Sequence, residues 1–218
     1  LQFIQTQFGC NFLKIRAKLL LKLTRLLYNS AMINKNDFST AAAAIKNGGV
    51  IAFATDTVWG LSADATNENA LKKIYEIKKR PKTEPLIVLF ESAAQIKNYI
   101  KNLNPDIVKR LEMGLEATTV IIPIETSSPL YTDFTRDSSL AIRIPRDADV
   151  LALISKCSVP LASTSANITG EPTLKTYEEV EETFGERGVF ILRGSADENQ
   201  KPSQILRFEN DKFITIRA

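Results

Sequence analysis

From residue 32 onward, helix signals and short apolar strand signals alternate along the chain, and this alternation limits the fold more than any other feature. Strands separated by helices build a sheet with helices packed on it. Asp37 or Ser39 stands where a helix cap is needed, ahead of alanines 41–44, and Gly48-Gly49 stops that helix. Residues 50–54 are a short apolar run of strand type. Asn67 caps a second helix whose Ala70, Leu71, Ile74 and Ile77 share one face, with Pro81 ending it. Residues 85–90 form a continuous apolar run of buried-strand type, and Ser92 and Asn104-Pro105 open two more helices. Strands are expected at 118–124, 140–144, 159–163 and 189–192, and helices at 148–156 and 176–184. A hairpin about Asn210-Asp211 joins 205–208 to 213–216. No internal repeat and no low-complexity tract interrupts the pattern, so one α/β domain over 32–218 is expected.

The chain has no histidine and two cysteines, Cys10 and Cys157. Ser-His-Asp catalysis, Cys-His catalysis and imidazole metal ligation are therefore closed to it. Two cysteines cannot make a disulfide framework or a four-cysteine zinc site, and a reducing compartment is the natural setting. The whole chain holds 28 basic and 25 acidic residues, a net charge of +3. Five of the basic residues (Lys14, Arg16, Lys18, Lys22 and Arg25) fall within residues 1–31, which contain no acid. Residues 32–218 are left with 23 basic against 25 acidic, so a nucleic-acid contact would need a local patch rather than a basic body. The segment 1–31 is expected to be an extension outside the working domain. Its competing readings are an acid-poor organelle-targeting peptide and a basic amphipathic helix. It does not supply the roughly 20 apolar residues of a bilayer span.

Four segments set polar residues at strand ends, where open α/β sheets place ligands. Residues 54–61, Ala-Thr-Asp-Thr-Val-Trp-Gly-Leu, follow a strand with two hydroxyls and a carboxylate, either as a ligand turn or as a capped turn anchored by Trp59 and Leu61. Residues 78–85 hold Lys78, Lys79, Arg80 and Lys82 at a helix end, either a solvated basic face or an anion site. Arg143 lies inside an apolar strand and must be paired, by a structural carboxylate or by a bound one. Residues 161–173 crowd Ser163, Thr164, Ser165 and Asn167 onto a strand end, a density that suits phosphate or ribose.

In order and spacing, these pieces resemble the YrdC-like family, the L-threonylcarbamoyladenylate synthases of the tRNA t6A pathway. They are Thr-Asp-Thr-Val-Trp-Gly-Leu, Lys-x-Arg-Pro followed by Pro-Leu-Ile-Val, Arg-Ile-Pro, and Ser-Thr-Ser-Ala-Asn-x-Thr-Gly-x-Pro. The resemblance spans about residues 33–208. It implies a single domain with a twisted mixed sheet, flanked by helices, and a concave ligand groove that is locally positive. It also implies a cytoplasmic enzyme of the short form, without an extra C-terminal domain. The implied reaction takes L-threonine, bicarbonate and ATP to threonylcarbamoyl-AMP and pyrophosphate, with magnesium carried on the ATP phosphates. A downstream tRNA threonylcarbamoyl transferase then moves the group to adenosine 37 of tRNAs reading ANN codons, and RNA contact in the groove is a further expectation.

Carried over by residue, the resemblance implies that Thr55, Arg143, Ser163 and Ser203 hold threonine, Arg143 through its carboxylate. Lys78, Arg80 and Lys82 face the ATP phosphates, and Ser139, Ser165, Asn167 and Thr173 close round the nucleotide. It assigns no general base and no protein ligand to the metal. The chain departs from the family at residues 113–118, Met-Gly-Leu-Glu-Ala-Thr, where relatives carry Trp-Pro-Gly-Pro-x-Thr. Glu116 is thereby expected near the nucleotide. Leu89 stands where many members have histidine, and Trp59 where tyrosine is usual. An RNA-binding or regulatory relative without the chemistry, and a carbamoyl-adenylate enzyme with another acceptor, are the competing readings.

Overall fold

The computed structural model describes residues 35–113, 116–130, 135, 137–196 and 202–218, all within the compact unit Ile33–Ala218. The extension expected at 1–31 lies outside the described residues, as do residues 114–115 of the altered segment. Helices and strands follow in the order α1 (Lys35–Lys46), β1 (Val50–Ala54), β2 (Trp59–Asp64), α2 (Glu68–Lys78), β3 (Ile87–Leu89), α3 (Ala93–Tyr99), α4 (Pro105–Met113) and β4 (Thr118–Pro123). They continue with β5 (Ser139–Arg143), α5 (Ala148–Cys157), β6 (Leu161–Ser165), α6 (Tyr177–Phe184), β7 (Val189–Ile191), β8 (Gln204–Glu209) and β9 (Lys212–Arg217). The expected α/β class is what forms. The nine strands of the described residues join one mixed sheet in the order β7-β1-β2-β6-β3-β5-β4-β8-β9.

Local chemistry explains most boundaries. Asn67 accepts from the Ala70 N–H and starts α2, and Lys79 in the left-handed region ends it before Pro81 is reached. Ser92 caps α3, and Thr176 with Glu179 forms a reciprocal capping box on α6. Asn210 and Asp211, at φ 50° and 58°, make the two-residue turn between β8 and β9, a backbone that suits these side chains. Gly48 at φ 69° closes α1.

Three expectations change. Helix α1 begins at Lys35, ahead of both Asp37 and Ser39, so Asp37 sits in its first turn, where its carboxylate suits the helix dipole, instead of capping it. The apolar run 85–90 shrinks to Ile87–Leu89, because Pro85 has no N–H to give a ladder. Trp59, Gly60 and Leu61, read as the end of the turn segment 54–61, instead open a strand over residues 59–64 that pairs with both β1 and β6.

The sheet has two buried faces. On one, Trp59, Val88, Val120 and Ile142 meet Ile74 of α2, Ile96 of α3, Leu111 of α4 and Phe184 of α6. Burying one such side chain contributes roughly 1.5–3 kcal/mol. On the other, Ile51, Phe53, Leu89 and Leu161 pack under Ala41 and Ile45 of α1 and Val150, Leu153 and Ile154 of α5. These two helices cover only part of that face. Across β6, β3, β5 and β4 the residues Ser163, Ile87, Ala141 and Ile121 stand in register, and this row floors a cavity. Among the described residues, no helix is long and apolar enough to cross a membrane.

Candidate functional site

The cavity is about 500 Å³, a size suited to small ligands. Its apolar floor of Ile87, Leu89, Ile121, Ala141 and Ile205 carries a rim of polar groups from loops at the strand ends. The structure brings seven of the eleven expected site residues to this wall: Thr55, Arg80, Arg143, Ser163, Ser165, Thr173 and Ser203. Lys78, Lys82, Ser139 and Asn167 do not line it.

The β1–β2 turn is a tight hydrogen-bonded unit. The Thr55 hydroxyl donates to the Val58 carbonyl at 2.7 Å and accepts from the Thr57 and Val58 N–H groups. Thr57 Oγ1 in turn accepts from Arg143 Nη1 at 3.1 Å. Because the Thr55 proton is committed to Val58, the 2.9 Å contact between the two threonine hydroxyls is donated by Thr57. This chain of bonds links β5 to the turn.

Arg143 is 5% exposed and ends β5. Of the two alternatives for pairing it, the structural carboxylate is present. Asp56 Oδ1 stands 2.6 Å from Nη2, which is the structural ion pair, while Nε has no hydrogen-bond partner among the described residues. Asp56 Oδ2 accepts from the Arg146 N–H at 3.1 Å, so the carboxylate also ties down the segment after β5.

Arg80 lines the cavity with its fork held by the loop. Nη1 pairs with Glu84 at 3.0 Å, and Nε and Nη2 donate to the carbonyls of Glu84 and Pro85. Lys78, expected at the phosphates, is 1% exposed and turned into the protein. Its ammonium donates to the carbonyls of Ser165 and Asn167 and to Asn167 Oδ1. Burial pushes its pKa down to about 8, Arg80 adds to the effect and Glu84 opposes it. The oxygens round Nζ favour the charged form. Asn167 is the hub of the loop after β6: Oδ1 accepts from Ser165 Oγ at 2.6 Å, and Nδ2 donates to the carbonyls of Ile168 and Glu171. Lys78 and Asn167 thus shape the loop that presents Ser165. Lys82 is exposed, and Ser139 is the first residue of β5.

Two features of the wall escaped the sequence. Arg217, near the end of β9, lines the cavity and donates through Nε and Nη2 to the Ser203 carbonyl at 3.2 and 2.6 Å. Burial, with the charge of Arg143 nearby, lowers its pKa. The wall therefore carries three guanidiniums, Arg80, Arg143 and Arg217, a field suited to anions. Arg217 had no signal, since it reaches the site only through the β8–β9 hairpin. Asp56 is visible in the sequence as a carboxylate on the turn, but its partner Arg143 lies 87 residues further along the chain. Ser203 is 3% exposed and shares a 2.8 Å hydrogen bond with Thr119. Glu116 accepts from Gln204 Nε2 and is not among the residues that line the cavity.

Comparisons with known proteins converge. The Sua5/YciO/YrdC family model, described as "Telomere recombination", matches residues 43–218. Threonylcarbamoyl-AMP synthase of Aliivibrio fischeri is 34% identical over 166 residues, covering 74% of this chain and 89% of the relative. A putative threonylcarbamoyl-AMP synthase of Methanocaldococcus jannaschii is 32% identical over 175 residues, covering 79% of this chain and 81% of the relative. The crystal structure of P. abyssi Sua5 complexed with L-threonine is similar with a TM-score of 0.75 at 29% identity. That match covers 86% of this chain and 55% of the other, so the chain spans about half the length of that Sua5. E. coli YciO shares the fold, with a TM-score of 0.70 at 21% identity and coverage of 84% and 89%.

Proposed function

The chain belongs to the Sua5/YciO/YrdC family, and on that premise we propose that its cavity is the active site of a threonylcarbamoyl-AMP synthase. The enzyme is a nucleotidyltransferase that converts L-threonine, bicarbonate and ATP to threonylcarbamoyl-AMP and pyrophosphate. One observation carries the reading. A single cavity joins a buried guanidinium, Arg143, to the hydroxyls of Ser163, Ser165 and Thr173 and to the further cations Arg80 and Arg217.

Threonine sits between the β1–β2 turn, Arg143, Ser163 and Ser203, and its carboxylate meets Arg143. Its amine takes carbon from bicarbonate with loss of water and becomes a carbamate. A carbamate oxygen then attacks the α-phosphorus, the bond to the β-phosphate breaks, and pyrophosphate leaves with the electron pair. Neither step requires an imidazole. Alignment of the two substrates and neutralisation of the phosphate charge supply the rate. Arg80 and Arg217 face the phosphates, with Ser165 and Thr173 beside them. Lys78 acts through the Ser165–Asn167 loop that it holds, and Lys82 and Ser139 join the nucleotide side on the strength of the family resemblance.

Magnesium, bound to the ATP phosphates as part of the substrate, would withdraw charge from the triphosphate. The acids of the described wall, Asp56 and Glu84, each face an arginine, which suits a metal held by phosphate oxygens. The product passes to a tRNA threonylcarbamoyl transferase for t6A formation at adenosine 37 of ANN-reading tRNAs.

The test is pyrophosphate release by the full chain with ATP, magnesium, labelled bicarbonate and single amino acids. Release with threonine, and not with serine or glycine, is expected. No release with any amino acid would overturn the assignment and leave a binding module.

A further inference from the structure

Asp56 enters the cavity wall from the β1–β2 turn, beside Arg143. Its Oδ1 accepts from Arg143 Nη2 and its Oδ2 from the Arg146 N–H. An ionised carboxylate offers about four acceptor sites, so capacity remains on both oxygens. Arg143 gives one Nη1 hydrogen to Thr57 and one Nη2 hydrogen to Asp56, so each of these nitrogens keeps a second N–H to donate. Both members of this pair line the same cavity, with side-chain exposures of 6% and 14%.

A close pair of opposite charges, each with bonding capacity left over, is complementary to a ligand that carries the reverse pair. An α-amino acid zwitterion is such a ligand, since one carbon separates its ammonium from its carboxylate. Set antiparallel to Arg143 and Asp56, it leaves the site neutral while satisfying both ends. Glu84, the other acid on the described wall, is held by Arg80 and is 44% exposed, so its attraction for a cation is screened more strongly.

We infer that Asp56 receives the α-ammonium of the amino-acid substrate while Arg143 grips the α-carboxylate, so that the ion pair is a two-ended clamp for a zwitterion. This rests on the threonine subsite proposed above and adds to it the group that distinguishes an amino acid from a hydroxy acid or an amino alcohol. Asp56 holds Arg143 in place when the cavity is empty and shares it with the substrate when the cavity is filled.

The experiment is calorimetric titration of the full chain with three ligands: L-threonine, 2,3-dihydroxybutyrate (a hydroxyl for the ammonium) and L-threoninol (a hydroxymethyl for the carboxylate). In the wild type, each analogue is expected to bind at least about tenfold more weakly than threonine. In Asp56→Asn, threonine is expected to lose about 10- to 100-fold, whereas dihydroxybutyrate holds its affinity or gains, because Arg143 is released to it. A purely structural role would weaken both ligands equally, and that result overturns the clamp. Should Asp56→Asn not fold, the wild type decides alone: equal affinity for threonine and dihydroxybutyrate overturns the clamp and leaves the threonine subsite standing. A wild type that binds no threonine overturns the subsite itself and the clamp with it.

Discussion

Asp56 Oδ1 stands 2.6 Å from Arg143 Nη2, so the guanidinium of the cavity is charge-compensated before any substrate arrives. Both side chains are largely withdrawn from water, and each supports the other's burial. The site is built around this pair: Thr57 holds the second nitrogen, Thr55 braces Thr57, and the backbone of Arg146 closes on the carboxylate.

Arg143→Gln removes the charge and leaves Asp56 uncompensated. Threonine affinity is expected to fall about 10- to 100-fold, with ATP affinity changed less than about threefold. Equilibrium titration with each ligand checks this, and equal losses for the two would contradict the division of the cavity.

Lys78 gives a pH signature. The unfolded side chain keeps its proton up to the ordinary value of 10.5, and the folded one only up to about 8, because burial disfavours the ammonium. Between these values unfolding takes up a proton, so the contribution of Lys78 to stability is fully present above 10.5 and is lost as pH falls through about 8. In urea unfolding from pH 7 to 10, the wild type should gain stability relative to Lys78→Met as pH rises. A constant gap, or one that moves the other way, would contradict the buried placement of Lys78.

Gly60 is small where the wall is tight. A Cβ there would lie 3.2 Å from Ser163 Oγ and 3.6 Å from Thr55 Cγ2, within the corner assigned to threonine. Gly60→Ala is expected to raise the threonine KM about tenfold, with the melting temperature lowered only a few degrees and ATP affinity retained. Unchanged KM values would place threonine elsewhere.

Cys157 is a half-buried thiol whose pKa is pushed up to about 12, chiefly by loss of solvent, with the charge of Asp64 adding to the effect. At pH 7.5 its thiolate is nearly absent, so alkylation of the folded chain should run roughly 100- to 1000-fold slower than in urea. Peptide mapping distinguishes it from Cys10. Fast alkylation of folded Cys157 would contradict the raised pKa.

The parts of the fold legible in the sequence are those set by local chemistry. Asn67 announces α2 because a capping side chain needs only its own next residues, and Asn210-Asp211 announces a hairpin because both tolerate positive φ. Strand β2 was hidden. Its residues Trp-Gly-Leu-Ser-Ala-Asp include small and polar side chains, and it forms because β1 and β6 flank it on both sides. At the site, hydroxyls clustered at strand ends could be read directly. The inward turn of Lys78 could not, since it depends on carbonyls that lie 87 and 89 residues further along the chain. Arg217 was hidden for the same reason: only the sheet order brings β9, through β8, to the cavity.

Crystals of the full chain grown with L-threonine and a non-hydrolysable ATP analogue would locate both substrates at once. Both molecules are expected in one cavity, the amino acid between Arg143 and Asp56 and the triphosphate against Arg80 and Arg217. A triphosphate bound on another face of the sheet, or threonine out of reach of Arg143, would contradict this placement.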